Sequence, residues 1–220
     1  MIGVKPQVSG TASMQGDLWS ARPRDWADVQ EDTMLPLYQA VLERAGLAGG
    51  ARWLEELPWA DASFDVVTRF NAFQYAANPV KALREARRVA VPGAQVFIAT
   101  WGAAQDCEAA GYLRALGALS PPPPPGAPGP FALSEPGALE RLAVAAGLTP
   151  GEHLEVECTW YYAELDTALR GLLSAGPAVR AVRHSGAERV RRAVTEAITP
   201  FRTARGGYRI ENTFRCLVAR

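Results

Sequence analysis

Residues 57–102 run LPWADASFDVVTRFNAFQYAANPVKALREARRVAVPGAQVFIATWG, and this stretch decides the fold class. After an Asp/Ser turn, FDVVTRF (64–70) concentrates the β-formers Phe64, Val66, Val67 and Phe70, which predicts a buried strand. Asn78-Pro79 then opens a helix with the proline in its first turn, and Val80, Leu83, Ala86 and Val89 or Ala90 fall on one face. Pro92-Gly93 is expected to stop that helix, and AQVFIATWG (94–102) forms a second, nearly continuous apolar strand. A strand, a helix and a strand joined by short turns make a βαβ unit. Its two strands lie parallel and adjacent, which gives an α/β sheet.

Upstream, residues 1–16 are Gly/Ser/Thr-rich and expected to be a flexible N-terminus, and residues 17–220 are expected to form a single domain. In DWADVQEDTMLPLYQAVLERAGL, apolar positions recur at helical spacing, and Asp17 or Asp25 could cap this material. Pro36 suits a first turn, which places a helix start near Thr33; Gly46 and Gly49-Gly50 end it, and Ala51–Leu54 is a candidate strand. Downstream, PPPPPGAPGP (121–130) excludes helix and interior strand and predicts an extended surface loop or a partner-docking segment. Ser134 or Glu135 precedes a helix over PGALERLAVAAGL. HLEVECTWYY (153–162) is expected as one strand, DTALRGLLSAG and GAERVRRAVTEAITPF as helices, and YRIENTFRCLVAR (208–220) as a closing strand.

Composition narrows the function classes. Lys+Arg and Asp+Glu are both 23 in 220 residues, a formal charge of zero that leaves no overall electrostatic footprint for nucleic acid or an anionic membrane. No apolar run reaches the roughly 18 residues of a membrane span, and the N-terminus lacks a signal-peptide core, so a cytoplasmic protein is expected. Lys5 and Lys81 are the only lysines and alanine is abundant, a bias that hints at a GC-rich bacterial genome. Cys107, Cys158 and Cys216 are widely spaced and fit neither a disulfide framework nor a metal motif.

In open α/β sheets, ligands bind beyond the carboxyl ends of the strands. Asn71, Phe73, Gln74 and Tyr75 follow the first strand of the βαβ unit, and Trp101-Gly102 ends the second at the same edge. They are either a ligand site or a polar cap with a packing tryptophan. Trp19, Trp26 and Tyr38 either close over that edge or form an aromatic helix face. Trp160, Tyr161 and Tyr162 carry the same two readings. His153 and His184 are expected in loops, with no nucleophile or metal partner at fixed spacing. Arg84, Arg87 and Arg88, and Arg189, Arg191 and Arg192, are interspersed with glutamates as on solvated helix faces.

The blocks LPWADASFDVV, NAFQYAANPVKALREARRV and PGAQVFIATWG resemble the fourth strand, the following helix and the fifth strand of class I S-adenosylmethionine-dependent methyltransferases, in the ubiquinone/menaquinone-biosynthesis-like group. FALSEPGALERLAVAAGL with the strand after it resembles the late helix and sixth strand, and GGYRIENTFRCLVAR the seventh. The resemblance implies a Rossmann-like sheet with cap helices and transfer of a methyl group from S-adenosylmethionine to a small-molecule acceptor. It also implies Asn71 and Gln74 as cofactor-binding residues and Trp19, Trp26, Phe73, Tyr75 and Trp101 as substrate-binding residues. No catalytic residue and no metal ligand follows from it.

One part of the family pattern is absent. That family holds its cofactor with a glycine-rich turn after the first strand and an acidic residue on the ribose. Here AGGARWLEELPWADASFD passes from a candidate first strand to the approach of the fourth with no G-x-G. Two βα units of roughly 30 residues each are missing near Leu54-Glu55-Glu56. The resemblance then implies a truncated sheet of strand order 1-4-5-7-6 with an exposed edge, prone to homo-oligomer formation. The function implied is a small-molecule methyltransferase whose cofactor binding is in question. The alternatives are a non-catalytic methyltransferase-like scaffold or a chain with a deleted segment.

Overall fold

The computed structural model describes residues 11–46, 59–76, 78–123 and 129–220. The candidate strand 51–54, most of residues 1–16 and the middle of the proline-rich segment lie outside the described residues. Helix α1 (Thr11–Trp19) takes in the end of the segment expected to be flexible. The single turn α2 (Pro23–Asp25), a π-helical turn (Trp26–Gln30) and a 3-10 turn (Glu31–Met34) lead into α3 (Leu35–Ala45). Pro36 lies in the first turn of α3 and Gly46 closes it in the left-handed conformation. Asp17 lies inside α1 and pairs with Arg183, whereas Asp25 holds the N-cap position of the π-helical turn without a side-chain capping hydrogen bond and pairs with Arg170 at 2.6 Å.

The βαβ unit forms as its pattern predicts. Strand β1 (Phe64–Phe70), helix α4 (Pro79–Val89) and strand β2 (Ala90–Trp101) follow in order, and β1 and β2 pair in parallel from Val66↔Gln95 to Phe70↔Ala99. Asn78 caps α4 by accepting the Lys81 N–H at 2.9 Å. Pro92-Gly93 does not stop this helix, which already ends at Val89. The pair sits inside β2, where the register jumps between Phe64↔Ala90 and Val66↔Gln95. Proline has no N–H to give a ladder, so it forces the bulge there.

After β2 come α5 (Ala109–Ala118), α6 (Ala138–Ala145), β3 (Pro150–Glu157), β4 (Trp160–Tyr162), α7 (Leu165–Leu172), α8 (Gly176–Ser185), α9 (Ala187–Ile198), β5 (Tyr208–Ile210) and β6 (Thr213–Ala219). The main sheet has the order β1-β2-β6-β3, with β6 antiparallel to both of its neighbours. The strands likened above to a fourth, fifth, seventh and sixth stand in that order, and the candidate first strand lies outside the described residues. The stretches 153–162 and 208–220 are not single strands, because both break at the same level. Cys158 N–H donates to the Asn212 carbonyl at 2.7 Å across the break, and beyond it β4 and β5 pair as a separate two-stranded sheet. His184 lies inside α8 and His153 inside β3, so neither is a loop residue.

Side-chain alternation along β2 and β6 divides the interior into two layers. Val96, Ile98, Leu217 and Ala219 face α4 and α6, where Phe73, Leu83, Ala86, Leu139 and Ala143 complete one core. Phe97, Ala99, Trp101, Phe214, Cys216 and Val218 face the larger core built from α3, α5, α7, α8 and α9. This is a mixed α/β fold with a central sheet and helices on both faces. Among the described residues, no helix is long and apolar enough to cross a membrane.

Candidate functional site

A cavity opens at the carboxyl ends of β1 and β2, on the face of the larger core. Trp19, Trp26, Asn71, Tyr75, Trp101, Tyr112 and Trp160 line it, with Gln30, Leu113, Leu172, Ala175 and Pro177 completing the wall. Its volume is about 50 Å³. At roughly 10–15 Å³ for each water centre, that is room for about four waters.

Each wall has a local cause. Asn71 follows the last residue of β1, continues the ladder by donating its N–H to the Ala99 carbonyl at 2.9 Å, and turns the chain with φ of 47°. Asparagine tolerates that left-handed conformation better than most residues. The 3-10 turn Phe73–Tyr75 then rotates successive side chains by about a third of a revolution. Tyr75 points to the cavity, whereas Phe73 enters the core on the other face of the sheet, with the Arg69 guanidinium 5.4 Å from its ring centre. Gln74 is buried and donates to Asn71 Oδ1 at 3.3 Å without lining the cavity. Of the seven residues implied by resemblance, the structure therefore gathers Trp19, Trp26, Asn71, Tyr75 and Trp101, and directs Phe73 and Gln74 elsewhere.

The aromatic walls brace one another. Trp19 meets Trp26 edge to face at 5.1 Å between ring centres and Tyr75 at 6.3 Å. Trp101 packs on Trp160 at 5.8 Å and on Phe214 at 4.6 Å. Trp19 also lies flat against the start of α8, where a Cβ on Gly176 would come within 2.7–2.9 Å of its indole. Behind the wall, Tyr162 donates to Gln30 Oε1 at 2.8 Å and Tyr112 to the Leu172 carbonyl at 2.6 Å. Of the aromatic run 160–162, Trp160 lines the cavity, Tyr161 is exposed and Tyr162 is buried behind it, the alternation of a strand. Tyr38 packs on Phe70 at 4.9 Å and stays outside the cavity.

Burial sets the chemistry. Loss of solvent pushes the Tyr75 phenol up to about 12 and the Tyr112 phenol well above its usual range. Cys158 rises to about 11 and Cys216 to about 12 for the same reason, and Cys107 also rises, so all three thiols stay protonated and unreactive at neutral pH. His153 pairs with Glu140 at 3.1 Å on the far side of the sheet edge. Arg88 pairs with Glu85 and Asp61, and Arg191 with Asp166. Among the described residues no group of three or more His, Cys, Asp or Glu could hold a metal ion.

The cofactor implied by resemblance can be tested against this site. No Asp, Glu or glycine belongs to the cavity's lining among the described residues, and the sequence before β1 supplies no glycine-rich turn. An adenosyl group would need a ribose carboxylate and a backbone cradle, and neither belongs to the described residues of this lining. The described lining does not fit S-adenosylmethionine.

Sequence reasoning missed Gln30, Tyr112, Leu113, Leu172, Ala175 and Pro177. Tyr112 and Leu113 belong to α5 and Pro177 to α8. α5 begins in Ala/Gly-rich sequence with weak apolar periodicity, and the Gly-Pro pair that opens α8 looks more like a turn than a helix start.

Comparison with known proteins gives three results. A family model described as "Methyltransferase domain" matches residues 32–98, under a third of the chain. Among solved structures, a candidate methyltransferase from Bacillus halodurans is 16% identical over 76% of this chain and 73% of that one, with a TM-score of 0.44. The YcgJ protein of Bacillus subtilis is 16% identical over 84% and 77%, with a TM-score of 0.43. A candidate type II methyltransferase from Anaeromyxobacter dehalogenans is 20% identical over 73% and 66%, with a TM-score of 0.38. No curated protein matches. The chain is an α/β protein, methyltransferase-like through its segment 32–98.

Proposed function

We propose that this chain is a methyltransferase-like protein that binds a small molecule in its aromatic cavity and does not bind S-adenosylmethionine unaided. The observation that carries this reading is the lining itself. A cavity lies where α/β sheets place their ligands, walled by aromatics and lacking a carboxylate or glycine among its described residues. Hydrogen bonds to charged or multiply bonded groups contribute about 1.5–3 kcal/mol each. Two or three missing contacts therefore weaken cofactor binding by several powers of ten, at about 1.4 kcal/mol per decade.

Isothermal calorimetry tests it. Micromolar S-adenosylmethionine should give no saturable heat, and Asn71→Ala and Gln74→Ala should leave that result unchanged. Saturable micromolar binding would overturn the reading. A second reading, methyl transfer to a small acceptor bound in the cavity, draws on the family match over residues 32–98. It prevails if the cofactor binds and a methylated product forms.

A further inference from the structure

Resting on that small-molecule reading, we propose that residues 14–30 form a hinged lid over the cavity, shut in this structure and latched by Arg170 and Arg183, and that a ligand enters only when the lid swings out.

The shut cavity is too small for an organic ligand. Its volume of about 50 Å³ is far below the roughly 150 Å³ of a cavity that holds a benzene ring. A wall must move before anything larger than a few waters is admitted.

The walls differ in how firmly they are held. Asn71 and Trp101 sit at the ends of paired strands, and Tyr112 and Leu172 belong to helices whose inner faces build the larger core. Trp19, Trp26 and Gln30 come from the N-terminal segment. Between Met14 and Val29 only Leu18 is buried, and local opening costs least where few apolar contacts are buried. The far end of the segment is anchored: Gln30 accepts from Tyr162 at 2.8 Å, and Thr33 and Met34 are buried. Just before this anchor the backbone passes from one α-turn through a π-helical turn into a 3-10 turn. Such short turns absorb a change of φ and ψ that a continuous helix resists, which places the hinge there.

Charge holds the lid from outside. Asp17 pairs with Arg183 at 2.5 Å, and Arg170 bridges Asp25 at 2.6 Å and Asp28 at 2.5 Å. The three carboxylates all belong to the lid and the two arginines to α7 and α8. All five side chains reach solvent. Exposed pairs are weak singly and screened by salt, the properties of a latch that releases.

The experiment measures labelling of a cavity thiol by uncharged N-ethylmaleimide in the full chain. Leu172→Cys is the reporter, because Leu172 lines the cavity and is 1% exposed; should it not fold, Ala175→Cys serves. Raising NaCl from about 50 mM to about 500 mM should speed labelling about fivefold as the latch is screened. In the reporter background, Arg170→Gln with Arg183→Gln should give a similar rise at low salt and leave little further salt effect. Exchanging the charges of one pair, Asp17→Arg with Arg183→Asp, should keep labelling slow, whereas Arg183→Asp alone speeds it. Cys216, buried in β6, reports opening of the whole fold, and its labelling should not follow the latch charges. Reporter labelling that ignores both salt and latch charges, or that rises only in step with Cys216, overturns the lid. No ligand enters this measurement, so it decides on the lid alone and leaves the small-molecule reading to calorimetry.

Discussion

Gly176→Ala is the most direct probe of the cavity wall. Two effects of opposite sign meet at this residue. As the first residue of α8, alanine in place of glycine favours the helix by at most about 0.5–1 kcal/mol. Against that, the new Cβ would lie 2.7 Å from Trp19 Nε1, 2.8 Å from Cε2 and 2.9 Å from Cδ1. These are atoms of a rigid ring, not the far end of a flexible chain, so the whole indole must retreat by roughly half an ångström or more to regain van der Waals contact. Trp19 is held in turn by Trp26 and Tyr75, and overpacking of a braced site costs about 1–3 kcal/mol. The packing cost wins, for a net loss of about 1–2 kcal/mol. Urea denaturation should show a lower midpoint with an unchanged slope, and Tm should fall by roughly 2–4 °C per kcal/mol. The double variant Gly176→Ala with Trp19→Ala provides the control. With the ring gone, the alanine should become neutral or stabilising, and the coupling between the two sites should account for the loss. A Gly176→Ala protein as stable as its parent, with no coupling to Trp19, would refute the placement of that indole and with it the cavity wall.

Two further outcomes follow from other parts of the molecule. Asn78→Ala removes the acceptor of the Lys81 N–H at the start of α4 and should lower stability by about 0.5–2 kcal/mol, whereas Asn78→Ser should recover most of it; equal stability of all three proteins would show that the cap contributes nothing. Stability should decline in alkali, because groups whose folded pKa is raised bind more protons when folded than when unfolded as the pH climbs. The decline should start near pH 9, the ordinary value of the Cys158 and Cys216 thiols, continue past pH 10 as Tyr38 and Tyr75 join, and extend to about pH 12. Urea midpoints that stay flat between pH 8 and pH 11 would contradict the burial of these groups.

The sheet's centre was legible in the sequence because several independent signals coincided. A proline in the first turn after an asparagine, an apolar helix face and two β-rich runs all pointed to one βαβ unit. Where only one signal was present, reading fell short. The alternation in HLEVECTWYY continues across Cys158 and Thr159, so nothing in the local pattern marks the kink. The break comes from tertiary pairing of Cys158 with Asn212, itself the kink in the partner strand. In the same way, Pro92-Gly93 signals an interruption without saying whether a helix or a strand is interrupted. At the cavity, residues near strand ends could be named from position alone. The side to which each points could not, since a tight 3-10 turn sends Phe73 and Tyr75 to opposite faces of the sheet. Tyr112 and Pro177 reach the cavity only through helix packing, which leaves no mark in their own neighbourhood.

The position of β6 bears on how the molecule assembles. In chain order it follows every other described strand, yet it lies between β2 and β3 and hydrogen-bonds to both. While the chain is being made, β1, α4 and β2 can associate early, since their contacts are close in sequence. β3 has no neighbour in the sheet until more than fifty residues later, when Thr213–Ala219 arrives. Until then both β2 and β3 carry open edges that could accept a strand from another chain. Contacts at such sequence separations slow folding and prolong that exposure. During synthesis, the quality of the product therefore depends on keeping two half-sheets apart from other chains until a single late strand zips them together.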